Sequence, residues 1–104
     1  MYSRVTQLEI DTVRFDLADV VARFEAEVVP GLRAQDGYEG AIALTTPDGK
    51  GVLITLWASE EALHAAAEFA NAALDSFATT FKAPPGREYY EVAYLDVAGV
   101  AATS

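Results

Sequence analysis

Apolar residues recur along the chain at two periods, and the changes between them mark the elements. Residues 2–10 (YSRVTQLEI) interleave β-branched and polar positions and predict a strand. Leu17, Val20, Val21, Phe24 and Val28 then fall on one face of a helix, with Asp16 as N-cap and Asp19 near the positive helix end. Pro30-Gly31 ends or weakens that helix, leaving Leu32-Arg33 for a last turn. Gly37-Tyr38-Glu39-Gly40 opens a strand, Pro47-Asp48-Gly49-Lys50 turns, and residues 51–57 return, so 38–57 read as a hairpin. Ser59 caps a second helix whose apolar face is Leu63, Ala67, Ala70, Leu74, Phe77 and Phe81, while His64, Glu68, Asn71 and Asp75 form a polar stripe. Pro84-Pro85-Gly86 stops it, and residues 88–97 (EYYEVAYLDV) predict a last strand. Residues 1–97 thus make one domain, and 98–104 a tail.

The order β-α-β-β-α-β is the split βαβ, or ferredoxin-like, arrangement of the α+β class. Right-handed crossovers place both helices on one face of an antiparallel sheet. The other face should then be polar, but Val52, Ile54 and Leu56 point one way while Leu53, Thr55 and Trp57 point the other. In the last strand Tyr90, Val92 and Tyr94 share one face, and Tyr89, Ala93, Leu95 and Val97 the other. Two helices cannot shelter both faces, so a second identical subunit is expected on the open one, giving a homodimer.

Composition narrows the function classes. The chain has 104 residues and a net charge of −9, from 7 Lys plus Arg against 16 Asp plus Glu. Seven scattered cations do not make a nucleic-acid binder, and the acidic balance opposes docking on an anionic membrane. There is no cysteine for a disulfide, thiolate site or Cys nucleophile, and one histidine cannot build a multi-His zinc site. No export signal or membrane span is visible, so a cytoplasmic protein is expected. Asp48-Gly49-Lys50-Gly51 lacks the glycine spacing and following helix of a phosphate loop.

Three stretches carry a resemblance: Gly37-Tyr38-Glu39-Gly40, Thr55-Leu56-Trp57-Ala58-Ser59-Glu60-Glu61-Ala62 and Tyr90-Glu91-Val92. In this frame the chain resembles the antibiotic biosynthesis monooxygenase family of dimeric α/β barrels. The resemblance implies two subunits forming such a barrel, and a small apolar aromatic or polyketide-like ligand. In one branch it implies oxygenation with O2 and no metal, flavin or other cofactor. In that branch a Trp ends the third strand, with an Asn four residues before it and a Tyr six after. Trp57 matches the Trp, while the other places hold Leu53 and Leu63. The heme-degrading branch uses a first-strand Asn and a second Trp, which this chain lacks.

Such chemistry needs a dry pocket, a base and donors for developing charge. Trp57 is the candidate wall and N–H donor, and otherwise a packing residue. His64, the side chain that ordinarily titrates nearest neutrality, is the candidate base, and otherwise part of a solvated stripe. Asn71, Tyr38 and Tyr94 are candidates for orienting substrate oxygens, and otherwise surface or packing groups. Arg4 is expected to pair with an acid on a neighbouring strand, or to bind an anion. The alanine-rich second helix allows either close packing on the sheet or a cavity, and Phe69, off its main apolar face, covers a pocket mouth or meets a neighbouring chain. Two functions follow: a cofactor-independent monooxygenase, or a non-catalytic dimeric ligand-binding or accessory module.

Overall fold

The computed structural model describes residues 1–99, so the remainder of the expected tail, 100–104, lies outside the described residues. The chain runs β1 (Tyr2–Glu9), α1 (Leu17–Glu27), α2 (Val29–Arg33), β2 (Tyr38–Thr45), β3 (Lys50–Trp57), α3 (Glu60–Ala65), α4 (Ala67–Ser76), a 3-10 turn (Ala78–Thr80) and β4 (Gly86–Glu91). The four strands pair antiparallel in the order β2-β3-β1-β4, which is the ferredoxin-like topology.

The caps are those the sequence predicts. The Asp16 carboxylate accepts from the backbone N–H groups of Ala18 and Asp19, and Ser59 Oγ accepts from the N–H of Ala62. Gly49, at φ +98°, lets the β2–β3 turn close, and the Gly49 N–H donates to the Thr46 carbonyl.

Three boundaries depart from the sequence reading. The first helix is two helices joined at Val28, because Pro30 has no N–H to continue the ladder and starts a new turn as an early residue of α2. The second helix bends at Ala66, whose side chain is buried with Leu63 against Trp57, and it ends at Ser76 rather than running to Phe81. Residues 80–82 leave the helix because β1 and the segment after it recruit them. The Asp11 N–H donates to the Thr80 carbonyl, Ile10 bridges Phe81, and the Lys82 N–H donates to the Glu9 carbonyl. The last strand starts earlier than 88 and ends at Glu91, not 97. Tyr2 pairs with Glu91, the Val92 N–H reaches the Met1 carbonyl, and β1 offers nothing further to pair with. Tyr89 and Tyr90 do face opposite ways within β4, whereas Tyr94, Leu95 and Val97 lie beyond it and are exposed.

The register assigns the two faces. Toward the helices, successive cross-strand rows are Tyr38–Trp57–Tyr2–Glu91, Ala41–Thr55–Arg4–Tyr89, Ala43–Leu53–Thr6–Arg87 and Thr45–Gly51–Leu8. The opposite face carries Ile42, Leu44, Val52, Ile54, Leu56 and Val5, with Ile42 and Leu44 41% and 53% exposed. The buried core sits at one end of the helix-covered side, where Trp57, Leu63, Ala66, Phe77, Val28 and Leu32 pack together. Among the described residues, no helix is long and apolar enough to cross a membrane.

Candidate functional site

Along the sheet floor, the rows pass from aromatics to small residues. Beyond the Trp57 row come Ala41 and Thr55 beside Arg4, then Ala43 and Thr6 flanking Leu53, then Thr45 and Gly51 beside Leu8, so the small residues gather on the β2 side. Small side chains in a close-packed layer leave a gap unless a neighbour moves in. Nothing moves in here, because α1 buries none of its residues completely and bridges the gap with Val20, Val21 and Phe24. The result is a cavity of about 100 Å³ between the sheet and the α1 and α4 helices, partly open to solvent. Its roof and far wall are Val20, Phe24, Ala70, Ala73, Leu74 and Phe77.

Arg23 holds that roof in place. Its guanidinium lies 4.2 Å from the Phe77 ring centroid, Nε donates to Glu27 Oε2 at 2.6 Å, and Nη2 donates to the Ser76 carbonyl at 3.0 Å. This ties α1 to the end of α4 without closing the space beneath.

The polar groups on the lining are Arg4, Thr6, Thr45 and Thr55, so Arg4 is its one ionisable side chain. Arg4 is 4% exposed. Its strand neighbours are Thr55 and Tyr89, not an acid, which corrects the expectation of a carboxylate partner. Instead Nη2 donates to Asn71 Oδ1 at 2.9 Å, and Arg87 Nη1 donates to the same oxygen at 2.5 Å. Nη1 of Arg4 is buried with no hydrogen-bond partner. Burial, reinforced by Arg87, pushes the guanidinium below its ordinary value, and the nearby Tyr89 opposes the shift. An arginine starts high enough to remain charged at neutral pH.

The other predicted site residues lie elsewhere. Trp57 is 1% exposed and outside the cavity lining. Its Nε1 donates to Thr55 Oγ1 at 3.0 Å, so the indole donor is spent inside the sheet. Tyr38 stacks edge-on against Trp57, at 5.6 Å between centroids, and burial raises its phenol above the ordinary value. His64 is exposed on α3, its ring centroid 6.0 Å from that of Tyr89. Tyr94 is exposed beyond β4. Asn71 touches the site through Arg4 and Arg87. Phe69 packs on α2, where a side chain at Gly31 would meet its ring at 2.3 Å.

The structure thus brings together Arg4 and Asn71 and leaves Trp57, His64, Tyr38 and Tyr94 off the lining. Arg87 is a member that the sequence reading missed. It was missed because the expected last strand began at 88, whereas β4 starts at Gly86; alternation back from Tyr89 would have put Arg87 on the same face as Tyr89, opposite Thr6. Among the described residues, no group of three or more His, Cys, Asp and Glu side chains converges as a metal site would require.

No protein-family model and no curated protein matches the chain. Solved structures do match in fold. A protein of unknown function from Nitrosomonas europaea, NE2512, superposes with a TM-score of 0.73 at 21% identity, covering 95% of each chain. The ActVA-Orf6 monooxygenase of Streptomyces coelicolor, solved in complex with nanaomycin D, gives 0.69 at 20% identity over 92% of each chain. SnoaB, a cofactor-independent oxygenase from Streptomyces nogalater, gives 0.68 at 14% identity over 90% of this chain and 94% of its own. The chain therefore has the fold of antibiotic biosynthesis monooxygenases.

Proposed function

We propose that the protein is a monooxygenase-like member of that family, which holds a small apolar aromatic molecule in the cavity beneath α1 and needs no cofactor. The observation that carries this reading is the apolar hollow itself, built by small residues on the sheet and kept open under a tethered helix. Its volume of about 100 Å³ is well below the roughly 300 Å³ of a drug-sized site. It is nearer the ~150 Å³ engineered cavity that binds benzene. A single aromatic ring fits inside, and the remainder of a polyketide-like molecule would extend through the open side.

We propose further that the working unit is a homodimer packed through the open sheet face. Val5, Ile42, Ile54, Val52, Leu44 and Leu56 form an apolar band there, with the helices all on the other side. A second copy presenting the same band would cover it with a self-complementary surface. The expected solution mass is twice that of the chain, and Ile54→Lys, at the centre of the band, is expected to shift it to one subunit. A wild-type protein that stays single at micromolar concentration overturns the dimer.

A second reading, a non-catalytic binding or accessory module, is favoured by the lining, which contains no Asp, Glu or His to take a proton from a phenol. Oxygen uptake with anthrone-type phenols separates the two. Uptake by wild type supports the oxygenase, and its loss in Trp57→Phe would assign Trp57 a part. Absence of uptake together with measurable binding of the same phenols favours the module.

A further inference from the structure

The residues around the cavity divide by exposure. Ile10, Val28, Thr55 and Phe77 are buried, whereas Val21, Ala43, Leu44 and Thr45 are exposed. The mouth therefore lies between α1 and β2, and the deep end lies over β3 and β1, away from that edge. Polar groups follow the same gradient. At the deep end Arg4 spends Nη2 on Asn71, and its Nη1 is buried and exposes no surface to the hollow. Thr6 and Thr55 are 2% and 6% exposed, and Thr55 Oγ1 already accepts from Trp57. The deep wall is thus almost wholly hydrocarbon.

At the mouth the Thr45 hydroxyl is exposed, and β2 is an edge strand. The Thr46 N–H donates to the Lys50 carbonyl, so alternation along the register spends the backbone of Leu44 on β3 and turns that of Thr45 and Ala43 to the unpaired edge. A hollow with a hydrocarbon wall and a hydrogen-bonding rim fits a ligand built in the same two halves.

Resting on the small-ligand reading of this cavity, we infer that its ligand is an aromatic molecule oxygenated at one end only, which enters ring first and keeps its oxygen at the rim on the Thr45 hydroxyl. The buried edge of the ring, toward Phe77, carries no heteroatom. An oxygen there would lose its water and gain no partner. The same orientation leaves the oxygen-bearing end where solvent, rather than a side chain, exchanges its proton.

The test compares benzyl alcohol, para-fluorobenzyl alcohol and para-hydroxybenzyl alcohol by titration calorimetry or ligand-observed NMR. The last two are close in size and differ in whether the far end of the ring demands a hydrogen bond. Wild type is expected to bind the fluoro compound at least about tenfold more tightly than the hydroxy compound. Equal affinity would mean a far end that is wet or partnered; it overturns the inference and leaves the small-ligand reading intact. Thr45→Val keeps the shape of an exposed strand residue and removes its hydroxyl. It is expected to weaken benzyl alcohol binding about threefold and to leave toluene binding unchanged. Weakening of both, or of neither, also overturns the inference. Binding of none of the four compounds removes the small-ligand reading, and this inference with it.

Discussion

The layer between sheet and helices is full at one end and hollow at the other, although both ends rest on the same strands. At the full end, the row Tyr38–Trp57–Tyr2 presents three aromatic rings, and Leu63, Ala66 and Val28 close over Trp57. Two rows away, Ala43 and Thr6 flank Leu53, and a further row has Gly51 beside Thr45. The helices do not follow the floor down: α3 buries Leu63, whereas α1 buries nothing completely. The difference shows a division of labour within one small domain. Cohesion is concentrated around Trp57, and that frees the other end to keep a cavity and an unpaired cation that a stability-driven sequence would have removed.

The comparison breaks most visibly at Trp57. Trp57→Ala is expected to cost about 3–5 kcal/mol in urea unfolding, the range for deleting a large buried aromatic. A loss much below this would mean that the full end is not where cohesion resides. Thr55 couples the ends, since it lines the cavity and also accepts the Trp57 N–H. Thr55→Val keeps the shape and leaves a buried indole donor without an acceptor, which is expected to cost about 1–3 kcal/mol. A neutral outcome would mean that water entering from the cavity replaces the hydroxyl. Filling the hollow should do the reverse. Ala70→Leu puts added methylenes into the space and is expected to change stability by less than about 1 kcal/mol, or to gain slightly, while abolishing benzyl alcohol binding. Substantial destabilisation would show that the site is already packed.

The same contrast governs what could be read from the sequence. The succession of elements, the Asp16 and Ser59 caps and the β2–β3 turn were legible because local pattern and chemistry set them: apolar periodicity, a side-chain acceptor for helix N–H groups, and a glycine where φ is positive. The apolar open face was legible from strand alternation. The end of α4 was not, because residues 80–82 are drawn off by β1, and that competition is tertiary. The full end of the layer was partly visible, since Trp57 was marked as a packing residue as well as a donor. The hollow end was obscure for a physical reason: a cavity is a mismatch between two surfaces, and neither surface alone reveals it. Alanines on α4 permitted close packing or a gap, and α1's failure to settle into the sheet decided for the gap. Arg4 was visible as a residue, but its lack of a carboxylate partner belongs to the fold.

The smallest expected effect comes from the turn that borders the hollow end. The Gly49 carbonyl accepts from the Ile10 N–H at 2.7 Å, and Ile10 lines the cavity. In the same turn Thr46 Oγ1 donates to the Asp48 carboxylate, which lowers the Asp48 pKa from its ordinary 3.8; desolvation opposes this, and the residue's own backbone N–H, Lys50 and Lys82 add to the lowering. A carboxyl depressed in the folded state stabilises the fold fully above its unfolded value, and that contribution fades as pH falls through the lower folded value. Acid should therefore weaken the turn only below about pH 4. Asp48→Asn should be slightly less stable than wild type at neutral pH, and the gap should narrow in acid. Hydrogen exchange at the Ile10 amide would read this locally. If the Ile10 amide loosens along with Asp48 while the amides around Trp57 stay protected, the two ends of the layer open separately. If both loosen together, the hollow end shares the cohesion of the full one, and the division of labour fails.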